Sequence, residues 1–148
     1  MDAMLEAVKA FHLKNGFELG GRVPKRPELS SYAWELKEIA NELQRRCEHK
    51  YDSAIFRIQL LIGELAEIVE AVSAGDELAT LDGFVDLLYV LLGGVLQWNL
   101  PLEEGFKEVH RSNMTKDRKY GVAARWKGPD YVAPDLKSVL ERSRRDGI

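Results

Sequence analysis

The chain has 148 residues, with 21 Lys and Arg against 24 Asp and Glu, a formal net charge of −3 and an isoelectric point near 5.7. This length suits one domain, 1–148, and the acidic balance excludes a dedicated nucleic-acid binder, whose phosphate contacts need a basic surface. Cys47 is the one cysteine and allows no intramolecular disulfide, no apolar run is read as approaching the ~18 residues of a bilayer span, and the N-terminus lacks a signal-peptide pattern, so a cytoplasmic enzyme or binding module with no membrane partner is expected.

Asp2 to Asn15 is predicted as a first helix, with Asp2 as N-cap, Met4, Leu5, Val8 and Phe11 as its apolar stripe, and Gly16 as its stop. Gly16 to Pro27 is a connector broken by Gly and Pro, whose Arg22, Lys25 and Arg26 read first as a solvated loop. Ser30 or Ser31 is placed to cap a second helix through about Lys50, with Tyr32, Leu36, Ile39 and Leu43 spaced for burial. Cys47 and His49, near its end, are too isolated to read as metal ligands.

Two apolar segments follow between Arg57 and Trp98, Ile58–Val72 and Leu81–Leu96, and the short link Ser73–Glu77 folds them into an antiparallel helical pair. Asp86 is the sole charge between Gly83 and Leu96, so its carboxylate is expected against Leu87, Leu88 and Tyr89, where an uncompensated charge is costly. At about 100° per residue, Glu64 and Glu67 lie roughly 60° apart on one helix, and Asp82 and Asp86 roughly 40° apart on the other. If those faces meet, up to four carboxylates converge, and such a cluster stays ionised only with cations among it. An all-oxygen donor set without Cys or His favours Mg²⁺ or Mn²⁺. The plainer reading of Glu64, Glu67 and Glu70 is the wet face of an amphipathic helix.

Asn99-Leu-Pro101 breaks the chain before a helix from Leu102 to about Ser112, with Glu103 and Glu104 in its first turn and His110, Arg111, Asn113 and Lys116 around its end. By position alone, Arg111 is a partner of the helix dipole, and it is kept as a candidate substrate contact. Asp117 to Pro134 is irregular, basic and aromatic, carrying Arg118, Lys119, Tyr120, Arg125, Trp126, Lys127 and Tyr131 among Gly121, Gly128, Pro129 and Pro134. Asp135 can cap a last helix, Leu136 to Arg144, ahead of a charged end expected to fray.

No sequence repeat or low-complexity tract interrupts this pattern, which predicts an all-α bundle of four or five helices. Its parts are N-terminal helices over 1–56, an acidic core over 57–116 and an irregular tail with a short helix over 117–148. Phe84 to Leu96 is apolar nearly all round, unlike a helix on the outside of a small monomer, so an oligomer interface, in a homodimer or larger homo-oligomer, is expected to bury its remaining face unless the helix before Tyr51 covers it.

Three blocks in order, Glu64-Leu-Ala-Glu67, Asp82-Gly-Phe-Val-Asp86-Leu-Leu-Tyr-Val-Leu-Leu-Gly93 and Glu108-Val-His-Arg-Ser-Asn-Met-Thr-Lys116, resemble the all-α nucleoside triphosphate pyrophosphohydrolases. The nearest branch is the MazG-like and phosphoribosyl-ATP pyrophosphohydrolase-like proteins, and the likeness runs from about Phe11 to Leu136. The resemblance implies a Mg²⁺-dependent enzyme that cleaves a nucleoside triphosphate between its α and β phosphates, leaving monophosphate and pyrophosphate. It implies Glu64, Glu67 and Asp86 as catalytic metal ligands, Lys116 as a phosphate partner, Asn113 as a polar contact, and Trp126 and Lys127 as a cover over substrate unless Trp126 only packs on the body. The chain departs from the family pattern at Gly83, where an acid is usual and Asp82 is the nearest substitute, and at Gly63, where many relatives carry another acid. By analogy alone, the substrate class leans toward pyrimidine deoxynucleotides such as dUTP. The alternatives are a hydrolase releasing orthophosphate, and a non-catalytic helical module that binds nucleotide or a partner around a structural metal.

Overall fold

The computed structural model describes residues 1–120 and 126–145, and within them the chain is all-helical. The helices are α1 (Asp2–Lys14), α2 (Ser30–His49), α3 (Ser53–Ala74), α4 (Glu77–Gln97), α5 (Leu102–Met114) and α6 (Leu136–Arg145), with short 3₁₀ turns at Pro27–Leu29 and Arg118–Tyr120. The all-α class is as the sequence predicts, with six helices described where four or five are expected. Gly121, Arg125 and the terminal segment 146–148 lie outside the described residues. The chain gathers into two compact units, one of Arg22–Trp98 and one of Met1–Gly21 with the described residues from Asn99 onward.

In the Arg22–Trp98 unit, α3 is the central helix, packed against both α2 and α4. Each of its ends is set by local chemistry. The Asp52 carboxylate accepts hydrogen bonds from the Ala54 and Ile55 amides at 2.8 and 3.0 Å, a cap that typically contributes about 1 kcal/mol. At the other end Gly75 takes the left-handed conformation, φ 73°, and the Gly75 and Asp76 amides return to the Val72 and Ala71 carbonyls. Asp76 then caps α4 through the Ala79 amide at 3.0 Å, so two residues reverse the chain into the expected antiparallel pair. The Arg26 amide bonds the Val72 carbonyl and holds the basic connector on the end of α3.

The predicted face of α2 is turned only in part: Leu36 and Leu43 are half-buried, while Tyr32 and Ile39 are 58% and 50% exposed and the fully buried positions are Ala33 and Ala40. Alanine on the contact stripe lets the α2 backbone approach α3 closely, which turns Tyr32 and Ile39 outward. Neither Ser30 nor Asp2 acts as a cap, because each helix begins on that residue, with Leu29 and Met1 at the cap positions making no side-chain bond. On α1 the expected stripe is only partly inward, since Leu5 and Val8 are exposed while Met4, Ala7 and Phe11 are half-buried.

α4 buries only the narrow stripe of Thr80, Gly83 and Gly94. Its outer face is open, with Leu81, Phe84, Tyr89 and Leu96 all exposed, Tyr89 at 79% and Leu96 at 82%. Asp86 lies on that open side and is exposed, against the expectation that apolar neighbours enclose it. By length and composition alone α4 is also long and apolar enough to cross a bilayer. A search for uninterrupted apolar runs misses this, because Asp82 and Asp86 divide the segment.

In the other unit, α5 packs against both α1 and α6. Trp126 is 6% exposed, its ring 6.2 Å from Phe11 and 5.3 Å from Phe17. Asp135 caps α6 as the sequence predicts, accepting from the Ser138 amide at 3.0 Å and hydroxyl at 2.6 Å.

Candidate active site

The seam between α3 and α4 is fixed by two close approaches. A Cβ added to Gly83 would stand 2.8 Å from the Ile68 side chain, and one added to Gly93 would stand 2.8 Å from an Arg57 terminal nitrogen. Position numbers on α3 fall as those on α4 rise, so the register sets Glu64 level with Asp86 and Glu67 near Asp82. Counted from the Ile68–Gly83 contact at about 100° per residue, Glu64 and Glu67 fall roughly 40° and 100° to one side of α3. Asp86 and Asp82 fall roughly 60° and 100° to the side of α4 that borders the same flank, because the helices are antiparallel. All four acids therefore line one edge of the seam. Their charges meet at Glu64, a half-buried side chain whose carboxyl is pushed above the ordinary glutamate range, first by burial and then by Glu67, Asp86 and Asp82. Glu70, a turn further on, is outside this group and pairs with Lys37 of α2 at 2.6 Å.

The two glycines at which the acidic motif departs from its relatives are unlike each other. Gly83 is buried at the crossing, where any side chain would force Ile68 and the two helices apart, so an acid has no room there. Asp82, one residue earlier, stands on the exposed flank and adds its charge at Glu64. Gly63 has nothing within 4 Å of an added Cβ, so no steric demand explains it.

Arg57 lies seven residues before Glu64, on nearly the same face of α3 and about 10 Å along its axis. Its Nε donates to Gln97 Oε1 at 2.6 Å, and its guanidinium occupies the space that Gly93 leaves on α4. Sequence reasoning assigns Arg57 no role. The heptad spacing to Glu64 is the signal that could have found it.

The remaining candidates belong to the unit of α1, α5 and α6. Arg111 is committed locally, donating to both Glu108 oxygens at 2.9 and 2.6 Å and to the Ala133 carbonyl at 3.1 Å. Glu108 also accepts the Asp135 amide at 2.7 Å, and the Arg111 bonds followed by this one hold its carboxyl down at about 2. Asn113 lines a cavity of about 130 Å³ with Phe11, Phe106 and His110. Lys116 lines a polar cavity of about 260 Å³ with Lys14, Asp117 and Asp130, and the Lys14 ammonium is bonded to the Met114 and Lys116 carbonyls. Trp126, expected either to cover substrate or to pack on the body, is packed on the body, and its indole N–H has no hydrogen-bond partner among the described residues. Lys127 stands 5.0 Å from the Tyr131 ring.

Comparison with known families gives a match to phosphoribosyl-ATP pyrophosphohydrolase over residues 35–113, more than half of the chain and all four acids. The chain belongs to the phosphoribosyl-ATP pyrophosphohydrolase family. No curated protein and no solved structure matches it. Membership makes the chain a nucleotide pyrophosphohydrolase, a hydrolase of phosphoric anhydrides, and the matched region stops at Asn113, short of Lys116 and the aromatic tail. In this pyrophosphohydrolase the acid edge suits a hard divalent cation by its donors, which are carboxylate oxygens without sulfur or imidazole, and by its charge, since the neighbouring acids add to burial in raising Glu64. Among the described residues no three or more Asp, Glu, His or Cys side chains stand close enough together to hold a metal ion as they are placed, so the acids line the edge without forming a closed set of ligands.

Proposed function

We propose that the chain hydrolyses nucleoside triphosphates to monophosphate and pyrophosphate, using Mg²⁺, or Mn²⁺ in its place, held by Glu64, Glu67, Asp82 and Asp86. The observation that carries this reading is the convergence of three other carboxylate charges on Glu64 along one edge of the α3–α4 seam. Bound there, the cation supplies charge neutralisation for the phosphates and lowers the pKa of a water. Glu64, Glu67 and Asp86 hold the cation and orient that water and the phosphate oxygens. Lys116 contributes a point charge to the phosphates and Asn113 a polar contact to the nucleotide. Arg111 keeps its pairing with Glu108 and Ala133, and Trp126 supports the fold from its buried site. Asp82 takes the part of the acid that Gly83 has no room to carry. Pyrimidine deoxynucleotides such as dUTP are the first substrates to try.

The working form in this reading is a cytoplasmic homodimer. A bilayer around α4 would carry the Asp82 and Asp86 carboxylates into hydrocarbon, at a cost of about 2.5–3.5 kcal/mol for a centrally placed acid. A second copy instead buries Tyr89 and Leu96 while leaving room for the acids to meet a cation.

The deciding experiment incubates the purified protein with separate ribo- and deoxynucleoside triphosphates in Mg²⁺, Mn²⁺ or chelator and follows the products by phosphorus NMR. Monophosphate and pyrophosphate, formed only with metal, are expected. Diphosphate with orthophosphate would refute the cleavage position, and turnover undiminished by chelator would refute the role of the acids.

A further inference from the structure

The acid edge does not end at Glu64. Two helical turns back along the same flank, Arg57 reaches across the seam and lays its guanidinium over Gly93, whose missing side chain makes the slot. The arginine has five N–H donors in a planar fork. One is spent on Gln97 Oε1, and the four on its terminal nitrogens have no hydrogen-bond acceptor among the described residues. A brace between helices would need no more than that single bond, and any side chain at position 93 would close the slot. A half-buried cation with an unspent planar fork is built for an oxyanion with several oxygens, such as a phosphoryl group. The separation from Glu64, about 10 Å along α3, is one that an arginine side chain and an extended triphosphate span together.

We infer that Arg57 binds the β,γ end of the triphosphate, the part that leaves as pyrophosphate, and that Gly93 exists to seat its guanidinium. The inference rests on the metal-dependent reading of the acids and adds a direction to it. The nucleoside lies toward the Glu67–Asp82 end of the seam and the leaving pyrophosphate toward the Arg57–Gly93 end. Arg57 is thus a substrate-binding residue that also marks where product leaves.

Inorganic pyrophosphate with Mg²⁺ is the probe, titrated calorimetrically into the full chain. Arg57→Gln removes the fork. Gly93→Ala keeps the arginine but puts a methyl group into its slot, moving only the flexible end of a side chain and replacing a helical glycine by the better helix former. Both variants are expected to bind pyrophosphate at least tenfold more weakly, with Mn²⁺ affinity unchanged and with Gly93→Ala melting no lower than the parent. In turnover, Arg57→Gln should show its loss chiefly in KM. Unchanged pyrophosphate affinity in both variants, with nucleotide turnover intact in the parent, overturns this inference and leaves the metal-dependent reading standing. A parent that binds pyrophosphate through Arg57 yet hydrolyses no nucleotide overturns the hydrolase reading and keeps the anion site. A parallel fall in Mn²⁺ affinity and melting temperature in both variants would show Arg57 to be only a brace between helices.

Discussion

Replacing Glu64 by glutamine removes one of four like charges while leaving the size of the side chain almost unchanged. Turnover should fall about 100-fold or more if Glu64 is one of the proposed metal ligands, yet the metal-free protein should become no less stable. The pH dependence has a definite sign. Glu64 has a folded-state pKa above its unfolded value, so the folded chain holds this proton at a pH where the unfolded chain has released it. The associated stability is present below the ordinary glutamate value of 4.5 and is lost as pH rises through the raised value. In chelator, parent melting temperature should therefore decline across that window and the Glu64→Gln variant should decline less. An equal slope in the two proteins would mean that the Glu64 carboxyl carries no raised pKa. Such residues were only partly legible in the sequence. Spacing alone brings Glu64, Glu67, Asp82 and Asp86 to facing helices, but the exposure of Asp86 depends on how far α4 turns toward α3, which one-dimensional spacing leaves open.

At the scale of the helices, Gly83 and Gly63 make opposite predictions for the same change. Gly83→Ala presses a methyl group against Ile68 and should cost about 1–3 kcal/mol, whereas Gly63→Ala meets empty space and should gain roughly 0.5–1 kcal/mol from helix propensity. Urea unfolding of both variants checks the pair, and a Gly83→Ala protein as stable as the parent would show that the seam is loose. Helix ends were readable in part, because their signals are local. Asp135 caps as expected and the link Ser73–Glu77 turns the chain, through a left-handed Gly75 and a capping Asp76, but the caps expected of Asp2 and Ser30 are not made. Helix rotation was less readable. Of the stripe Tyr32, Leu36, Ile39 and Leu43, the two leucines turn half inward, yet Ala33 and Ala40 take the centre of the contact, because close backbone approach rewards small side chains. Hydrophobic periodicity weighs size in the opposite sense, so it misplaces the centre of the face where packing distance decides.

At the scale of the whole molecule, the open face of α4 is the feature that a single chain leaves unfinished. Light scattering at micromolar protein should report at least a dimer, and Leu96→Glu, a charge placed on a residue 82% exposed, should shift that equilibrium toward monomer. A monodisperse monomer in the parent would show that this face needs no second copy. Helix spacing puts Asp82, Val85, Asp86, Tyr89 and Leu96 on one stripe of α4, so the acids share their surface with the apolar side chains that association would cover. With the proposed dimer as the active form, halving the enzyme near its dissociation constant should more than halve the initial rate, giving a plot of rate against enzyme concentration that curves upward from the origin. The Leu96→Glu protein would stretch that curve to higher concentrations, and crowding or a fused tandem copy would straighten it.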